Sequence, residues 1–253
     1  MSSWWEKYYR RGNWAKKTLP PPKPILEIGE MIEKLAKITD EEWGRYAFRR
    51  ELLRDRFDAE KKRFYTLRAN ECGAEYARKM VDEYHTRSPE ELAEKLGGIV
   101  SYPSRPGGSR PGSQLIFAQF VEPEKIMIFT DCTNKADEAV EEYGLHQYFS
   151  EDSARKILLA HELFHLVELK YKDVIFTRTE KIDLLPLKII HNWSTIRCLS
   201  EMACMRFARE LTELPFSPYV LDVFLLYLYE QQKASDLFRA IMRIIFPEAE
   251  TEN

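Results

Sequence analysis

Apolar residues recur at helical spacing over most of the chain, and this period changes near the middle. From Ile25 to about His85, positions such as Trp43, Ala47, Leu52 and Phe57 are near helical spacing. Three later runs are rich in Ile, Val, Phe and Tyr, a composition typical of strands. They are Ile99 to Tyr102, Gln114 to Phe120 and Lys125 to Thr130. The pattern predicts an α+β fold that is mainly helical, with a small sheet.

Several segments carry helix start and stop signals. Thr39 to Glu42 has the form of a capping box, and Ser88 followed by Pro89 predicts a short helix that ends at Gly97 and Gly98. After Ser150, a predicted N-cap, the segment Ala154 to Leu169 is helical and unusually apolar, so we expect a buried helix there.

The remaining segments complete a provisional division of the chain. Pro103 to Gly112 is dense in Pro, Gly, Ser and Arg and predicts an exposed loop. A linker with Pro186 leads to a helix from about Ser194 to Leu214, and two apolar helical stretches finish near Phe246. We divide the chain into a tail and proline-rich linker (1–24), a helical N-terminal extension (25–85), a core (86–220) and a helical C-terminal cap (221–253).

Composition limits the classes of function. The chain has 253 residues, 44% of them hydrophobic, and a formal net charge of −3, so net charge does not indicate a polyanionic partner. Its apolar runs fall short of the ~20 residues that span a bilayer, so no membrane partner is expected. The four cysteines contain no C-x-x-C motif and the chain begins with no apolar signal-like run, which favours a reducing, cytoplasmic location.

The first 19 residues interleave tryptophan and tyrosine with lysine and arginine, and they end at a proline run. Such a tail can stack on nucleic-acid bases while neutralising phosphates, or it can pack its rings on its own domain. We favour packing, because the basic patch is short and the chain as a whole is not basic.

The strongest chemical signal is the segment from His161 to His165. These two histidines are four residues apart on one predicted helix, so their side chains share a face and can converge on one metal ion such as Zn²⁺. Glu162 follows the first histidine and is placed to take a proton from a zinc-activated water. Roughly one chain in a hundred of this composition would contain the pattern by chance. The buried-looking helix is also a costly place for unpaired polar groups. We therefore expect a zinc site.

A catalytic zinc usually has a third protein ligand and one open position. Glu201 is the first choice, since it opens an apolar helix that can pack on the first one. Glu168 lies nearly two turns beyond His161 and is expected to be second shell or solvated. His191 is an alternative ligand or an oxyanion donor. Cys198 and Cys204 flank Glu201, so a thiolate ligand is an alternative, although buried cysteine is most often a small core residue.

Four segments together resemble the ImmA/IrrE family of metallopeptidases. They are Pro89 to Gly98, Lys125 to Phe129, Ala154 to His165, and Glu201 to Pro215. The resemblance covers about residues 70–220 and implies a zincin-like core with the sheet packed on the zinc helix. It also implies His161, His165 and Glu201 as zinc ligands and Glu162 as base. The family's glutamate helix commonly carries Ala and Asn where this chain has Cys204 and Met205.

The resemblance implies intracellular cleavage of a regulatory protein, often a repressor. His191, Tyr171, Tyr227 and Tyr229 are candidate donors to the oxyanion, and an extended substrate could add to the sheet edge along Lys125 to Thr130. Three alternatives stay open. They are a non-catalytic zinc-containing binding or sensor module, a hydrolase that acts on another kind of carbonyl, and a nucleic-acid-associated regulator that works through the N-terminal tail.

Overall fold

A computed structural model describes residues 23–104, 115–184 and 192–247. Several sequence predictions lie outside these ranges. They concern the basic aromatic tail up to residue 22, most of the Pro103 to Gly112 loop, the linker around Pro186, and His191.

The described residues form helices and two small sheets, which confirms the α+β, mainly helical prediction. The helices are α1 (Ile28–Ala36), α2 (Asp40–Arg50), α3 (Ala59–Tyr84), α4 (Pro89–Lys95), α5 (Thr130–Glu142), α6 (Ser153–Lys170), α7 (Phe176–Thr179), α8 (Arg197–Leu211), α9 (Val220–Tyr227) and α10 (Gln231–Ile245), with a 3₁₀ turn at Arg54–Arg56. The strands are β1 (Ile99–Ser101), β2 (Ala118–Val121), β3 (Lys125–Ile128), β4 (Lys181–Asp183) and β5 (Trp193–Thr195). Within the described ranges, no helix combines the length and the hydropathy needed to cross a bilayer.

Helix starts follow the predicted caps in two cases and depart from them in a third. The Thr39 hydroxyl accepts the Glu42 amide while the Glu42 carboxylate accepts the Thr39 amide, a complete capping box. Ser88 caps α4 through the amide of Glu91. Helix α6, however, does not have the predicted Ser150 as its N-cap. Its N-cap is Asp152, with φ 62°, and the Ser150 amide donates to the Ser153 hydroxyl.

The three-stranded sheet has the order β1-β3-β2, so β3 is the central strand. It pairs parallel with β1 and antiparallel with β2, with Ile126 opposite both Val100 and Phe120. The expectation of a free edge along Lys125 to Thr130 is therefore wrong, since both edges of this strand are occupied. β2 contacts α6 and leaves its outer edge without a described partner strand.

Two hydrophobic clusters meet along α6 and α8. One cluster joins α1, α2, α5, α9 and α10, and the other joins α3, α4 and β3. Both helices contribute residues to each cluster, as Ile157 and Leu163 do for α6, and Leu199 and Phe207 for α8. The predicted zinc helix and the Glu201 helix therefore lie side by side in the centre of the fold, where burial on two sides fixes their positions.

The N-terminal extension packs directly on α8. At Gly73 in α3 the helices approach so closely that an added Cβ would lie 2.3 Å from the carbonyl oxygen of Ala203. Asp40 at the start of α2 accepts hydrogen bonds from Arg206 at 2.9 Å and from Arg209 at 2.7 Å, both on α8. These contacts make residues 25–85 part of the support of α8.

Candidate metal centre

His161 and His165 lie one turn apart on α6, with their ring centroids 5.5 Å apart and the rings nearly perpendicular. Both side chains are mostly buried, at 15% and 20% exposure. The apolar residues beside them explain this burial, since Leu163 and Phe164 are fully buried in the cluster that holds α4 and β3. Helical spacing has therefore placed two imidazoles on one partly open face of a buried helix.

Helix α8 presents two further donors to this face. The Glu201 Oε2 atom lies 3.6 Å from His161 Nε2, and the Cys204 Sγ atom lies 3.5 Å from His165 Nε2 and 3.7 Å from its Nδ1. His161, His165 and Cys204 each offer a ligand atom within 4.8 Å of the others, so this group could hold a metal ion. Glu201 is half exposed and Cys204 is fully buried. The group includes Cys204, which the sequence analysis named as an alternative.

Glu168 is a buried carboxylate behind His165. Its Oε2 atom lies 3.8 Å from His165 Nδ1 and 2.9 Å from Arg178 Nε, and it accepts a hydrogen bond from the Ser200 hydroxyl at 3.1 Å. A carboxylate on the outer nitrogen of a histidine fixes the tautomer that leaves the other nitrogen free for a metal. Glu168 therefore lies beside a predicted metal ligand and is not solvated, which is one of the two alternatives considered from the sequence.

Charges around His165 and Glu168 favour their ionised forms in the metal-free protein. Burial opposes protonation of His165, but the Glu168 carboxylate and the charges of Glu201 and Glu162 outweigh it, so the pKa of His165 is raised. Burial would raise the pKa of Glu168, but His165 and Arg178 lower it overall. The two groups therefore form a charge-assisted pair, and a metal ion would take the place of a proton on His165.

The Cys204 thiol is held in its neutral form when no metal is present. Complete burial raises the pKa of Cys204 well above its usual value, and the carboxylates of Glu201, Glu168 and Glu162 add to this. A bound cation reverses this balance, because a coordinating thiol is deprotonated. The thiol is thus inert toward solvent but is placed beside the imidazole of His165.

Glu162 and Phe120 complete the surroundings. Glu162 is half buried on α6, and its charge raises the pKa of both His165 and Cys204. The Phe120 ring on β2 stacks on the His165 imidazole with 6.3 Å between centroids. The edge strand therefore lies beside His165.

The three tyrosines named as oxyanion donors have contacts elsewhere in the fold. The Tyr171 ring packs against Tyr76, 5.1 Å away, and Tyr227 against Tyr143, 5.9 Å away. The Tyr229 hydroxyl donates to Asp131 at 3.2 Å. His191 lies outside the described residues, so an oxyanion donor remains a prediction.

The structure places Glu201 beside His161 and Cys204 beside His165, and the residues whose ligand atoms all lie within 4.8 Å of one another are His161, His165 and Cys204. It adds Arg178 and Phe120, for which the sequence carried no signal, because each reaches the site from an element distant in the chain. Searches against models of known protein families, curated proteins and solved structures found no match to this chain.

Proposed function

We propose that this protein is a zinc-dependent endopeptidase that hydrolyses a peptide bond of a protein substrate. His161, His165 and Glu201 are the proposed zinc ligands and Glu162 the general base. The observation that carries the proposal is that the Glu201 carboxylate of α8 lies 3.6 Å from Nε2 of His161, one turn before His165 on α6. The resemblance to the ImmA/IrrE family supports the same assignment and suggests a zincin-like core.

The donor types and spacings support zinc over harder cations. Imidazole and thiolate suit zinc, whereas magnesium and calcium take oxygen ligands. In a tetrahedral zinc site with bonds of about 2.0–2.2 Å to nitrogen and oxygen, two such ligand atoms are about 3.3–3.5 Å apart. The 3.6 Å between His161 and Glu201 is close to this separation.

Each side chain then has a role. Bound zinc would supply a Lewis acid that polarises the scissile carbonyl and lowers the pKa of water from about 15.7 toward about 7. Glu162 accepts the proton of the attacking water and delivers it to the leaving amine. Glu168 favours the tautomer of His165 whose Nε2 atom is free to bind the metal. Arg178 Nε lies 2.9 Å from the Glu168 carboxylate and favours its ionised form.

The outer edge of β2, which pairs with no strand within the described ranges, offers a binding surface for an extended substrate. The Phe129 amide donates to the Phe117 carbonyl at 3.1 Å, so alternate residues of this strand bond to β3. Ala118 and Phe120 occupy the alternating positions of β2 that do not bond to β3, so their backbone groups point to the outer edge. Addition of a substrate strand there would bring a peptide past His165, on which Phe120 stacks. Backbone recognition of this kind suits a protein substrate, and we propose a regulatory protein.

A second candidate function is a zinc-containing sensor without turnover. The observation that favours it is Cys204, since a thiolate could fill the position that a catalytic site keeps open. Nucleic-acid binding through the N-terminal tail remains a separate prediction about residues outside the described ranges.

The test compares the wild type with Glu162→Gln, each purified identically and assayed for zinc content and for cleavage of a panel of unfolded proteins. We expect about one zinc per chain in both and cleavage by the wild type alone. Glu151→Gln, which alters an exposed glutamate just before α6, is the matched control and should cleave like the wild type. Zinc binding without cleavage by the wild type, and equally without cleavage by a Cys204→Ala variant, would contradict the peptidase proposal and favour the sensor.

A further inference from the structure

The four described cysteines differ in what surrounds their sulfur atoms. The Cys132 thiol donates to the carbonyl of Phe129 at 2.9 Å, Cys72 is buried in the hydrophobic cluster that joins α3, α4 and β3, and the backbone amide of Cys198 donates to the Glu51 carboxylate. Cys204 instead lies against both nitrogens of the His165 imidazole. Among the described cysteines, Cys204 is the one whose sulfur belongs to a group of ligand atoms with two histidines.

The two helices present their donors as matched pairs. On α6 the donors are four residues apart, and on α8 Glu201 and Cys204 are three residues apart, so each helix offers one donor per turn. His161 faces Glu201 at 3.6 Å, and His165 faces Cys204 at 3.5 Å. The ligand atoms of His161, His165 and Cys204 all lie within 4.8 Å of one another, and the half-exposed Glu201 carboxylate lies beside His161.

The sulfur distance fits a shared ion. In a tetrahedral site with a zinc–sulfur bond of about 2.3 Å and a zinc–nitrogen bond of about 2.0–2.1 Å, sulfur and nitrogen are about 3.6 Å apart. The separation between Cys204 Sγ and His165 Nε2 is 3.5 Å. Cys204 also has 0% exposure, so packing holds its sulfur in place and solvent does not compete for it.

We propose that Cys204 is a protein ligand of the resident metal in the resting protein and fills the fourth position of a His161, His165, Glu201, Cys204 site. This inference rests on the proposed zinc centre and adds a regulatory property to it. With four protein ligands the site is closed, and Cys204 must leave its position before water can enter. The resting protein is thus a latent form of the proposed peptidase.

The test uses the full chain loaded with one equivalent of Co²⁺, whose thiolate bond gives an intense near-ultraviolet charge-transfer band. We expect the band in the wild type and in Cys198→Ala, which removes another buried thiol of the same helix. Cys204→Ala should lose the band while it still binds cobalt through the other three ligands. A cobalt-loaded wild type without the band, or a band that survives Cys204→Ala, would overturn the inference.

X-ray absorption of the zinc-loaded wild type decides the matter if Cys204→Ala fails to fold. We expect one sulfur neighbour at about 2.3 Å beside nitrogen and oxygen neighbours at about 2.0–2.2 Å. A shell of nitrogen and oxygen alone contradicts the assignment, and a wild type that binds neither metal contradicts both this inference and the proposed function.

Cleavage assays on the same samples separate the two proposals. A metal with a sulfur ligand, and no cleavage by the wild type or by Cys204→Ala, would overturn the peptidase and leave the ligand assignment standing. Cleavage by a protein whose metal has no sulfur neighbour would overturn the ligand assignment and leave the peptidase standing. If both proposals hold, Cys204→Ala cleaves several-fold faster than the wild type.

Discussion

The Glu51 carboxylate accepts a hydrogen bond from the backbone amide of Cys198 at 3.0 Å, which joins the end of α2 to the first turn of α8. Its other oxygen accepts the Leu53 amide at 3.1 Å, and the residue is 2% exposed. An anion at this position satisfies an amide that has no partner within the helix and interacts favourably with the helix dipole. The helix that presents Glu201 and Cys204 therefore depends on a residue of the N-terminal extension.

Replacement of Glu51 by alanine should destabilise the protein by about 1–3 kcal/mol, because the Cys198 amide loses its acceptor inside the protein. Chemical denaturation followed by circular dichroism measures this loss. Glu51→Gln keeps one accepting oxygen and should lose less. Equal losses for the two variants would contradict the role of the accepting oxygen.

Gly73→Ala tests the close approach of α3 and α8. The new methyl group would lie 2.3 Å from the Ala203 carbonyl oxygen, so α8 must shift and the protein should lose about 1–3 kcal/mol of stability. Since Ala203 precedes Cys204, metal affinity should fall as well, which titration with a chromophoric chelator would detect.

The control for this variant is Gly29→Ala in α1. There the nearest atom, Leu145 Cδ2, is 4.0 Å from the added Cβ, and alanine favours helix by up to about 1 kcal/mol. Stability should stay the same or rise slightly. A Gly73→Ala protein as stable as this control would show that the two helices are not packed as described.

Metal affinity should fall as the pH is lowered. The fall should begin at a pH above 6.5, which is the usual pKa of histidine. Metal binds neutral imidazole, and the pKa of His165 is raised, so protons begin to compete at a higher pH than they would for a free imidazole. Glu168→Gln removes the charge of the buried carboxylate, 3.8 Å from His165 Nδ1, that does most to raise this pKa.

In that variant the onset of proton competition should move to lower pH. Metal affinity at high pH should fall by about 10–100-fold, because His165 loses the carboxylate that orients it. Calorimetric titrations with zinc at several pH values would measure both effects. An unchanged pH profile would contradict the pairing of Glu168 with His165.

Ala118→Pro tests substrate addition at the edge of β2. Proline removes an amide that faces the outer edge and leaves the bonds to β3 intact, so it should be tolerated there. Cleavage of unfolded proteins should fall by tenfold or more, which is about 1.4 kcal/mol of lost binding in the transition state. Zinc content and thermal stability should stay close to those of the wild type. Unchanged cleavage would place the substrate elsewhere.

Local sequence signals identified the elements well. The Thr39 capping box, the Ser88 and Pro89 start and the apolar run before His161 all depend on residues adjacent in the chain, so the helices could be predicted. The boundary of α8 was less accurate, because Trp193 to Thr195 pairs with β4 rather than starting the helix. That pairing depends on a partner ten or more residues away.

The site divides in the same way. The positions of His161 and His165 follow from helical period alone, and the opposition of Glu201 follows from packing of two apolar helices. The roles of Cys204, Glu168 and Arg178 could not be separated from core or surface roles, because they depend on the rotation of α8 about its axis and on the return of the chain at α7. The expected sheet edge along Lys125 to Thr130 was wrong, because β3 lies between β1 and β2 and strand order depends on contacts between segments distant in the chain.

The packing of α3 on α8 bears on any attempt to isolate a minimal catalytic fragment. A polypeptide that began near residue 86 would expose to water the apolar face of α8 that Gly73 and its neighbours cover, and it would lack Asp40 and Glu51 as anchors. We expect such a fragment to aggregate and to retain the two histidines without the opposing carboxylate and thiol in register. Proteolytic trimming of the N-terminal helices would then abolish metal retention although no ligand had been removed.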